Sequence, residues 1–171
     1  QKDFWDDRYQ NHTEPFDWYM QFQHIEKLIL PMLKQDMEIL IIGGGTSRIP
    51  YQLYDLGFKN ISILDFSQYA FDAMKKFVSE REGMSYFVGD FIQFEFEKQF
   101  DFIFDKGTLD CVLSNPNEPV NLLKQFVRKI KQIMKKDATW INISFDDDRD
   151  DDLEFDKELI VNCKEIPVQM V

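Results

Sequence analysis

The stretch Glu38–Arg48, "EILIIGGGTSR", decides the fold class, because apolar residues run directly into three consecutive glycines. A short apolar run rich in isoleucine predicts a buried strand. Glycines directly after a strand are needed where the chain turns tightly, or where another group comes close to the backbone. The stretch therefore predicts a strand followed by either a packed turn or a ligand-binding loop.

The rest of the chain alternates between strand-like and helix-like patterns. The predicted strands are 37–43, 60–66, 84–91, 100–107 and 139–145, and the predicted helices are 48–57, 67–83 and 118–137. Ser67 is placed to begin the second of these helices and Gly83 to stop it, while Pro119 stands near the start of the third. Continuous apolar strands that alternate with helices predict an α/β fold with a doubly wound, mostly parallel, Rossmann-like sheet, preceded by an N-terminal helical leader.

Composition limits the classes of function. With 171 residues, 44% of them hydrophobic, the chain predicts a single domain. A net charge of -11 argues against a nucleic-acid partner, which needs clustered Lys and Arg. A basic or neutral partner fits the charge better, and we expect a basic protein substrate. No apolar run reaches the roughly 20 residues that span a bilayer. We therefore expect a soluble protein without a membrane partner, and the pattern leaves the oligomeric state open.

Cysteine and histidine are scarce. Two cysteines, Cys111 and Cys163, make neither a disulfide framework nor a CxxC pair, so we expect a reducing, cytoplasmic compartment. Together with His12 and His24 they lack the short spacings of a zinc site, and we expect no bound metal.

Unusual residues follow the predicted strands where each strand ends. In open parallel sheets, ligands bind beyond the carboxyl ends of the strands, where the strand order reverses. Asp65 follows Gly45 by 20 residues, an interval that suits an acid accepting hydrogen bonds from ribose hydroxyls. These features predict a nucleoside-containing ligand, although Asp65 could instead only cap its loop. The strand-end residues are Gly43, Gly44, Gly45, Asp65, Phe66, Asp90, Phe91, Asp105 and Lys106.

Two features favour S-adenosylmethionine over a dinucleotide. In the dinucleotide fingerprint GxGxxG the last glycine lets a pyrophosphate meet a helix N-terminus, but here Arg48 holds that position. Asp90 can accept a hydrogen bond from an adenine amino group, and Phe91 beside it can stack on the ring. Packing of Phe91 in the core is the alternative, since the chain has 17 phenylalanines.

The motifs "ILIIGGGTSR", "ILDFS", "VGDF" and "FDFIFDKGTLDCVL", with "FWDDRY" and "FDWY" before them, resemble the class I S-adenosylmethionine-dependent methyltransferases. They are most similar to the methyltransferase-like group that includes elongation factor 1-alpha lysine methyltransferases. The resemblance extends from Phe4 to about Phe145 and implies a seven-stranded sheet. It also implies S-adenosyl-L-methionine as cofactor and S-adenosyl-L-homocysteine as product.

The resemblance further implies a set of cofactor contacts. Leader residues would close over the methionine end of the cofactor, and Gly43 would underlie it. Asp65 would hold the ribose, and Asp90 with Phe91 would hold the adenine. Lys106 would lie at the rim near methyl transfer. On charge alone, Arg8 is a further candidate for the cofactor carboxylate. For the leader aromatics, simple packing of an amphipathic helix is the alternative. The implied cofactor residues are Trp5, Tyr9, Trp18, Gly43, Gly45, Asp65, Phe66, Asp90, Phe91 and Lys106.

Division of the chain follows from the same motifs. We expect a leader at 1–35 that covers the cofactor, a cofactor-binding core at 36–145 and an acidic loop with C-terminal strands at 146–171. The segments "KELIVNC" and "IPVQMV" could supply two last strands. Little chain then remains for a helix and a substrate loop, so we expect residues to be missing near Asp146–Asp152 and a protein mass above 20.5 kDa.

For the reaction we expect methylation of a protein lysine, with a translation elongation factor as the target that the resemblance implies. Asp105 and Asp110 flank the expected mouth of the site and are candidates to orient the amine and help it lose its proton; loop capping is the alternative. The acidic run Asp146–Asp152 would attract a basic substrate or would simply be a solvated loop. Two other functions stay open: a small-molecule methyltransferase, and an inactive cofactor-binding module that works through a partner.

Overall fold

The computed structural model describes residues 2–114 and 119–145, which form one parallel sheet with helices on both faces. The strands are β1 (Ile39–Ile42), β2 (Ile61–Asp65), β3 (Met84–Val88), β4 (Phe100–Lys106) and β5 (Met134–Ile143). They lie in the order β3-β2-β1-β4-β5, and every neighbouring pair is parallel. The predicted α/β fold with a parallel sheet is therefore confirmed, and the strand order reverses between β1 and β4.

Helices precede the sheet and connect its strands. The leader contains α1 (Lys2–Asn11) and α2 (Phe22–Ile29), and a 3-10 turn follows at Leu30–Met32. The connecting helices are α3 (Ile49–Asp55), α4 (Gln68–Ser79), α5 (Thr108–Leu113) and α6 (Pro119–Ile133). Ser67 holds the N-cap position of α4 as predicted, but its hydroxyl makes no cap hydrogen bond and donates instead to the Asp6 carboxylate.

The core lies in two layers because successive strand side chains point to opposite faces of the sheet. Ile39 and Ile41 of β1 pack in the layer that contains residues of α2, α3 and α4. Leu40 and Ile42 of the same strand pack in the other layer, against residues of α5 and α6. All four side chains are buried, so β1 is central in depth as well as in sheet order.

The end of α6 differs from the predicted pattern. The helix stops at Ile133, and β5 begins at Met134, five residues before the predicted start. Met134 pairs with Phe100 of β4, and Lys135 donates to the Asp101 carboxylate at 2.8 Å. Asp137 has a φ of 63°, and the register of the two strands shifts between Phe100 and Phe102. Sheet pairing has thus overridden the helical propensity of this lysine-rich segment.

Several expectations fall outside the described residues. The two last strands at 157–163 and 166–171, and the acidic run at 146–152, lie beyond residue 145. Within residues 2–114 and 119–145, no helix is long and apolar enough to cross a membrane.

Candidate functional site

A cleft of about 830 Å³, including the space open to solvent, lies at the carboxyl ends of β1, β2 and β4. This is the edge where the strand order reverses, and there two neighbouring connections leave the sheet in opposite directions. The glycine loop after β1 forms one wall, and the leader lies across from it. The lining residues are Trp5, Tyr9, Phe16, Trp18, Ile41, Ile42, Gly43, Gly44, Gly45, Thr46, Ser47, Leu64, Asp65, Phe66, Gly89, Phe91, Phe104, Lys106, Gly107, Thr108 and Cys111.

The glycine loop is built around close approach by the chain's own side chains. Gly43 and Gly45 have φ values of +60° and +49°, a region that other residues rarely adopt. A Cβ on Gly43 would lie 2.0 Å from Oγ1 of Thr108, and one on Gly45 would lie 2.3 Å from the hydroxyl of Tyr9. The loop is therefore a packed turn, and its three glycines also line the cleft.

Asp65 is the acid at the base of the cleft. Its carboxylate accepts the backbone N–H of Gly45 at 2.8 Å and that of Ser67 at 2.9 Å, and the residue is only 3% exposed. Burial raises the pKa of Asp65 to about 6, although hydrogen bonding from the backbone N–H groups of Ser67, Gly45 and Phe66 opposes the rise. Two backbone donors leave part of the roughly four lone-pair positions of the carboxylate for a ligand.

Asp105 at the end of β4 has an internal role. Its carboxylate accepts the N–H of Thr108 at 2.9 Å and the side-chain amide of Asn142 at 3.0 Å. Burial raises the pKa of Asp105 to about 7. The group thus caps the first turn of α5, which places Thr108 so that its hydroxyl donates to the Ile42 carbonyl at 3.0 Å.

Aromatic residues of the leader cover the cleft. Trp5 stacks on Tyr9 with ring centroids 5.8 Å apart and meets Trp18 edge-on at 5.5 Å. The indole N–H of Trp5 donates to the sulfur of Cys111 at 3.2 Å. Tyr9 is buried, and burial raises the pKa of its hydroxyl. These rings shield one side of the cleft from water.

Asp17 ties the leader to two strand ends. It accepts the hydroxyl of Ser47 and, at 3.3 Å, the N–H of Arg48. Its Oδ1 also lies 3.7 Å from Nζ of Lys106, and each of these two side chains is 8% exposed. Nζ of Lys106 donates to the Trp18 carbonyl at 2.5 Å. Burial lowers the pKa of Lys106, and the charge of Asp17 opposes that change.

Of the ten residues predicted to hold the cofactor, all except Asp90 line the cleft. Asp90 is exposed in the turn after β3, where its carboxylate accepts the N–H groups of Ile92 and Gln93. Phe91 lines the cleft, and its ring also packs on that of Phe126 with centroids 4.6 Å apart. Phe91 therefore both packs in the core and lines the cleft. Arg8 does not line the cleft, because its guanidinium lies over the Phe16 ring at 4.4 Å.

The two carboxylates predicted to flank the mouth do not line the cleft. Asp105 is fully buried below α5. Asp110 lies beyond the cleft, where it accepts the hydroxyl of Tyr19 at 2.8 Å and that of Ser144 at 2.6 Å. Sequence reasoning gave no role to Asp17, Tyr19 or Thr108. The acidic and aromatic stretch "FDWY" marked Asp17 and Tyr19 as unusual, but it did not indicate which residues they contact.

Comparison with known proteins identifies the family. A family model described as a methyltransferase domain matches residues 40–141, more than half of the chain. The chain therefore belongs to this methyltransferase domain family. The matched segment contains β1 from its second residue, β2 to β4, the glycine loop, Asp65 and most of β5.

Named relatives agree with this assignment. The chain is 28% identical over 139 residues to "EEF1A lysine methyltransferase 4" of Mus musculus, covering 80% of this chain and 54% of that protein. It is 32% identical over 134 residues to "eEF1A lysine and N-terminal methyltransferase" of Mus musculus, covering 77% of this chain and 19% of that protein. The chain thus spans about half the length of the first relative and a fifth of the second.

A solved S-adenosylmethionine-dependent methyltransferase from Clostridium acetobutylicum ATCC 824 has the same fold. It aligns with a TM-score of 0.59 at 20% identity, covering 82% of this chain and 54% of that one. At this identity the likeness concerns the fold alone.

Proposed function

We propose that this member of the methyltransferase domain family binds S-adenosyl-L-methionine in the cleft and transfers its methyl group to a lysine of a protein substrate. The observation that carries the proposal is the position of Asp65. Its buried carboxylate lies at the base of the cleft, beside the glycine loop and at the point where the strand order reverses.

The residues around the cleft suit the cofactor. Asp65 retains acceptor capacity toward the cleft after its two backbone hydrogen bonds, which fits the two hydroxyl donors of a ribose. Phe91 offers an aromatic ring for the adenine. The three glycines line the cleft, so the backbone of their loop borders the space that a ligand would fill. The leader rings of Trp5 and Trp18 would cover the methionine end.

Methyl transfer requires little covalent chemistry from the protein. The cofactor supplies an activated methyl group on a sulfonium, and the acceptor amine must be neutral to attack it. The chain's task is to hold the two groups in line and to exclude water. The aromatic cover of the leader and the buried Asp17–Lys106 pair serve that task, because they keep the leader fixed over the cleft.

Two features support a protein lysine as the methyl acceptor. Both mouse relatives are named as eEF1A lysine methyltransferases, so we propose eEF1A as the first substrate to try. The net charge of -11 favours a basic protein partner and disfavours nucleic acid. We extend the proposal to a cytoplasmic location and to one domain over 1–171, in which residues 1–35 cover the cofactor held by the core.

Calorimetric titration with S-adenosyl-L-homocysteine tests the cofactor site directly. Asp65→Ala should weaken binding by about 1–3 kcal/mol, the range for leaving polar groups of the ligand without a partner. Asp72→Ala is the matched control, because Asp72 is an exposed carboxylate on α4 that pairs with Lys75 and not with the cleft. A folded wild type that binds no S-adenosyl-L-homocysteine would refute the proposal.

Transfer itself is measured with radiolabelled S-adenosyl-L-methionine and purified eEF1A, followed by mass spectrometry of the modified peptide. Label on a lysine side chain supports the proposed acceptor. Cofactor binding without label on any protein of a cell extract would point instead to an inactive module or to a small-molecule acceptor.

A further inference from the structure

Tyr86 reaches the glycine loop from outside the cleft. It is the middle residue of β3, and its hydroxyl donates to the carbonyl of Gly45 at 3.1 Å. Because β2 lies between β3 and β1, the side chain crosses over β2 to meet the loop that follows β1. Tyr86 does not line the cleft, and sequence reasoning gave it no role. An edge strand of the described sheet thus holds backbone that borders the cleft.

Contacts from three elements hold Gly45. From β2, Asp65 accepts the N–H of Gly45 at 2.8 Å, and from β3 the hydroxyl of Tyr86 binds its carbonyl. From α1, the hydroxyl of Tyr9 fills the side on which a Cβ would project. Gly45 has a φ of +49°, and a glycine by itself has no strong preference for this conformation over others. The three contacts therefore fix the orientation of the two peptide groups that meet at Gly45.

The hydroxyl of Tyr86 is a constant donor. Burial raises the pKa of Tyr86 well above its ordinary value, and the charge of Asp65 adds to the rise, so the hydroxyl stays protonated at and below neutral pH. A carbonyl can only accept hydrogen bonds, so donor and acceptor are matched. The ring of Phe71 packs edge-on against that of Tyr86, with centroids 5.4 Å apart, and limits its movement. The bond to Gly45 thus persists across the pH range in which Asp65 titrates.

Loss of this bond would reach the cleft through Asp65. Without the Tyr86 hydroxyl, rotation about the backbone of Gly45 is less restricted. The same rotation would turn the N–H of Gly45 away from Asp65, whose carboxylate is fixed by this group and by the N–H of Ser67. The carboxylate would then adopt several orientations at the base of the cleft. Tyr86 therefore influences a ligand indirectly, by way of two other residues.

We propose that Tyr86 is a positioning residue for cofactor binding: its hydroxyl orients Gly45, and Gly45 in turn orients the Asp65 carboxylate toward the ribose hydroxyls. This inference rests on the proposed function, because Asp65 is the residue proposed there to hold the ribose. Tyr86 makes no contact with the ligand itself. Its contribution is preorganisation, since the free protein already holds the loop and the acid in the arrangement that binds, and no affinity is lost in ordering them.

Calorimetric titration with S-adenosyl-L-homocysteine compares the wild type with Tyr86→Phe, which removes the hydroxyl and keeps the ring. We expect the Kd to rise about three- to tenfold, the fold-change that corresponds to one neutral hydrogen bond. Tyr54→Phe is the matched control, because the Tyr54 hydroxyl also donates to a backbone carbonyl, that of Glu82 at 3.0 Å, and Tyr54 does not line the cleft. This control should change the Kd by less than twofold.

Two further measurements distinguish positioning from a general loss of stability. If Tyr86 acts through Asp65, Tyr86→Phe should weaken binding by less than twofold once Asp65 has been replaced by Asn, whereas a merely structural role would give the same fold-change in both backgrounds. The N–H of Gly45 also holds the pKa of Asp65 down. The pH midpoint of binding should therefore move upward in Tyr86→Phe and stay at the wild-type value in Tyr54→Phe.

The outcomes separate this inference from the proposed function. If the wild type binds S-adenosyl-L-homocysteine and Tyr86→Phe binds it equally well, or loses the same factor in both backgrounds, this inference is overturned and the proposed function stands. Failure of the wild type to bind would remove both. If Tyr86→Phe does not fold, Phe71→Leu decides the question, because it loosens the packing on the Tyr86 ring and keeps the hydroxyl. It should weaken binding in the wild-type background and not in Asp65→Asn, and an unchanged Kd would count against the positioning role.

Discussion

Protonation of Asp65 should switch off cofactor binding at mildly acid pH. The carboxylate is buried at the base of the cleft, and its pKa of about 6 lies well above the ordinary aspartate value of 3.8. Each carboxylate oxygen already accepts one backbone N–H, that of Gly45 on Oδ2 and that of Ser67 on Oδ1. Protonation leaves one good acceptor oxygen and turns the other into a donor, so little acceptor capacity remains for the hydroxyl donors of a ligand. We therefore expect the affinity for S-adenosyl-L-homocysteine to fall as the pH falls through 6.

The magnitude follows from the fraction of protein in the competent state. The apparent Kd equals the intrinsic Kd divided by that fraction, and with a pKa of about 6 roughly one-tenth of Asp65 is ionised at pH 5 and nearly all at pH 7.5. The apparent Kd should thus rise about tenfold between pH 7.5 and pH 5. Asp65→Asn should bind about 10- to 100-fold more weakly at pH 7.5, because it loses a charge-assisted acceptor, and should lose the pH dependence.

Calorimetry of both proteins at pH 5, 6 and 7.5 measures this effect, with circular dichroism to show that each stays folded. The comparison with Asp65→Asn isolates Asp65 from Asp105, whose raised pKa of about 7 titrates in the same range. A flat profile for the wild type would refute the assignment of Asp65. So would a wild-type slope that persists unchanged in Asp65→Asn.

Three further predictions concern stability and the leader. Gly43→Ala forces a Cβ to 2.0 Å from Oγ1 of Thr108 at a φ of +60°, so its melting temperature should fall by several degrees in differential scanning fluorimetry, and an unchanged value would contradict the close packing. The pKa of Asp105 is about 7 in the folded protein and 3.8 in the unfolded chain, so between these values the folded protein holds a proton that the unfolded chain has released. The free energy of unfolding in urea should therefore fall as the pH rises from 4 to 7. If this free energy instead rose in the wild type relative to Asp105→Asn, the predicted sign would be wrong. Asp17→Ala removes the charged partner of the buried Lys106 and should lower the free energy of unfolding by about 3–5 kcal/mol. Adding Lys106→Met to Asp17→Ala should restore most of that free energy. If the double variant restores none of it, the ion pair is not the cause of the loss.

Most of the cleft could be predicted from sequence because a parallel sheet converts chain order into spatial position. The glycine loop follows β1, Asp65 is the last residue of β2 and Lys106 is the last residue of β4. Parallel strands place their carboxyl ends at one edge of the sheet. No knowledge of packing was needed to bring them together. The same reasoning placed Asp90 at this edge, but there the turn after β3 uses the carboxylate for its own N–H groups, which strand-end position alone does not reveal.

The contacts of the leader could not be predicted because they join residues far apart in the chain without any fixed spacing. Asp17 meets Ser47 and Lys106, and Tyr19 meets Asp110, a residue 91 positions away. Nothing in the local pattern of "FDWY" specifies such partners. The early start of β5 could not be predicted for a related reason. The strand begins at Met134 because this residue pairs with the distant Phe100, and the lysine-rich sequence itself does not indicate that pairing.

The cofactor cleft and the docking of the leader use the same residues, so binding and leader order must be thermodynamically coupled. The Tyr9 hydroxyl lies over Gly45, whose N–H donates to Asp65, and Asp6 accepts the hydroxyl of Ser67, the N-cap of α4 after β2. A ligand that bound only with the leader docked would stabilise it, and by linkage every contact that docks the leader would raise ligand affinity by the same factor. The hydrogen bond from Tyr19 to Asp110 belongs to that docked state too, because Tyr19 comes from the leader and Asp110 from the core. Loss of this bond should therefore lower the affinity for the ligand as well as the stability of the docked leader.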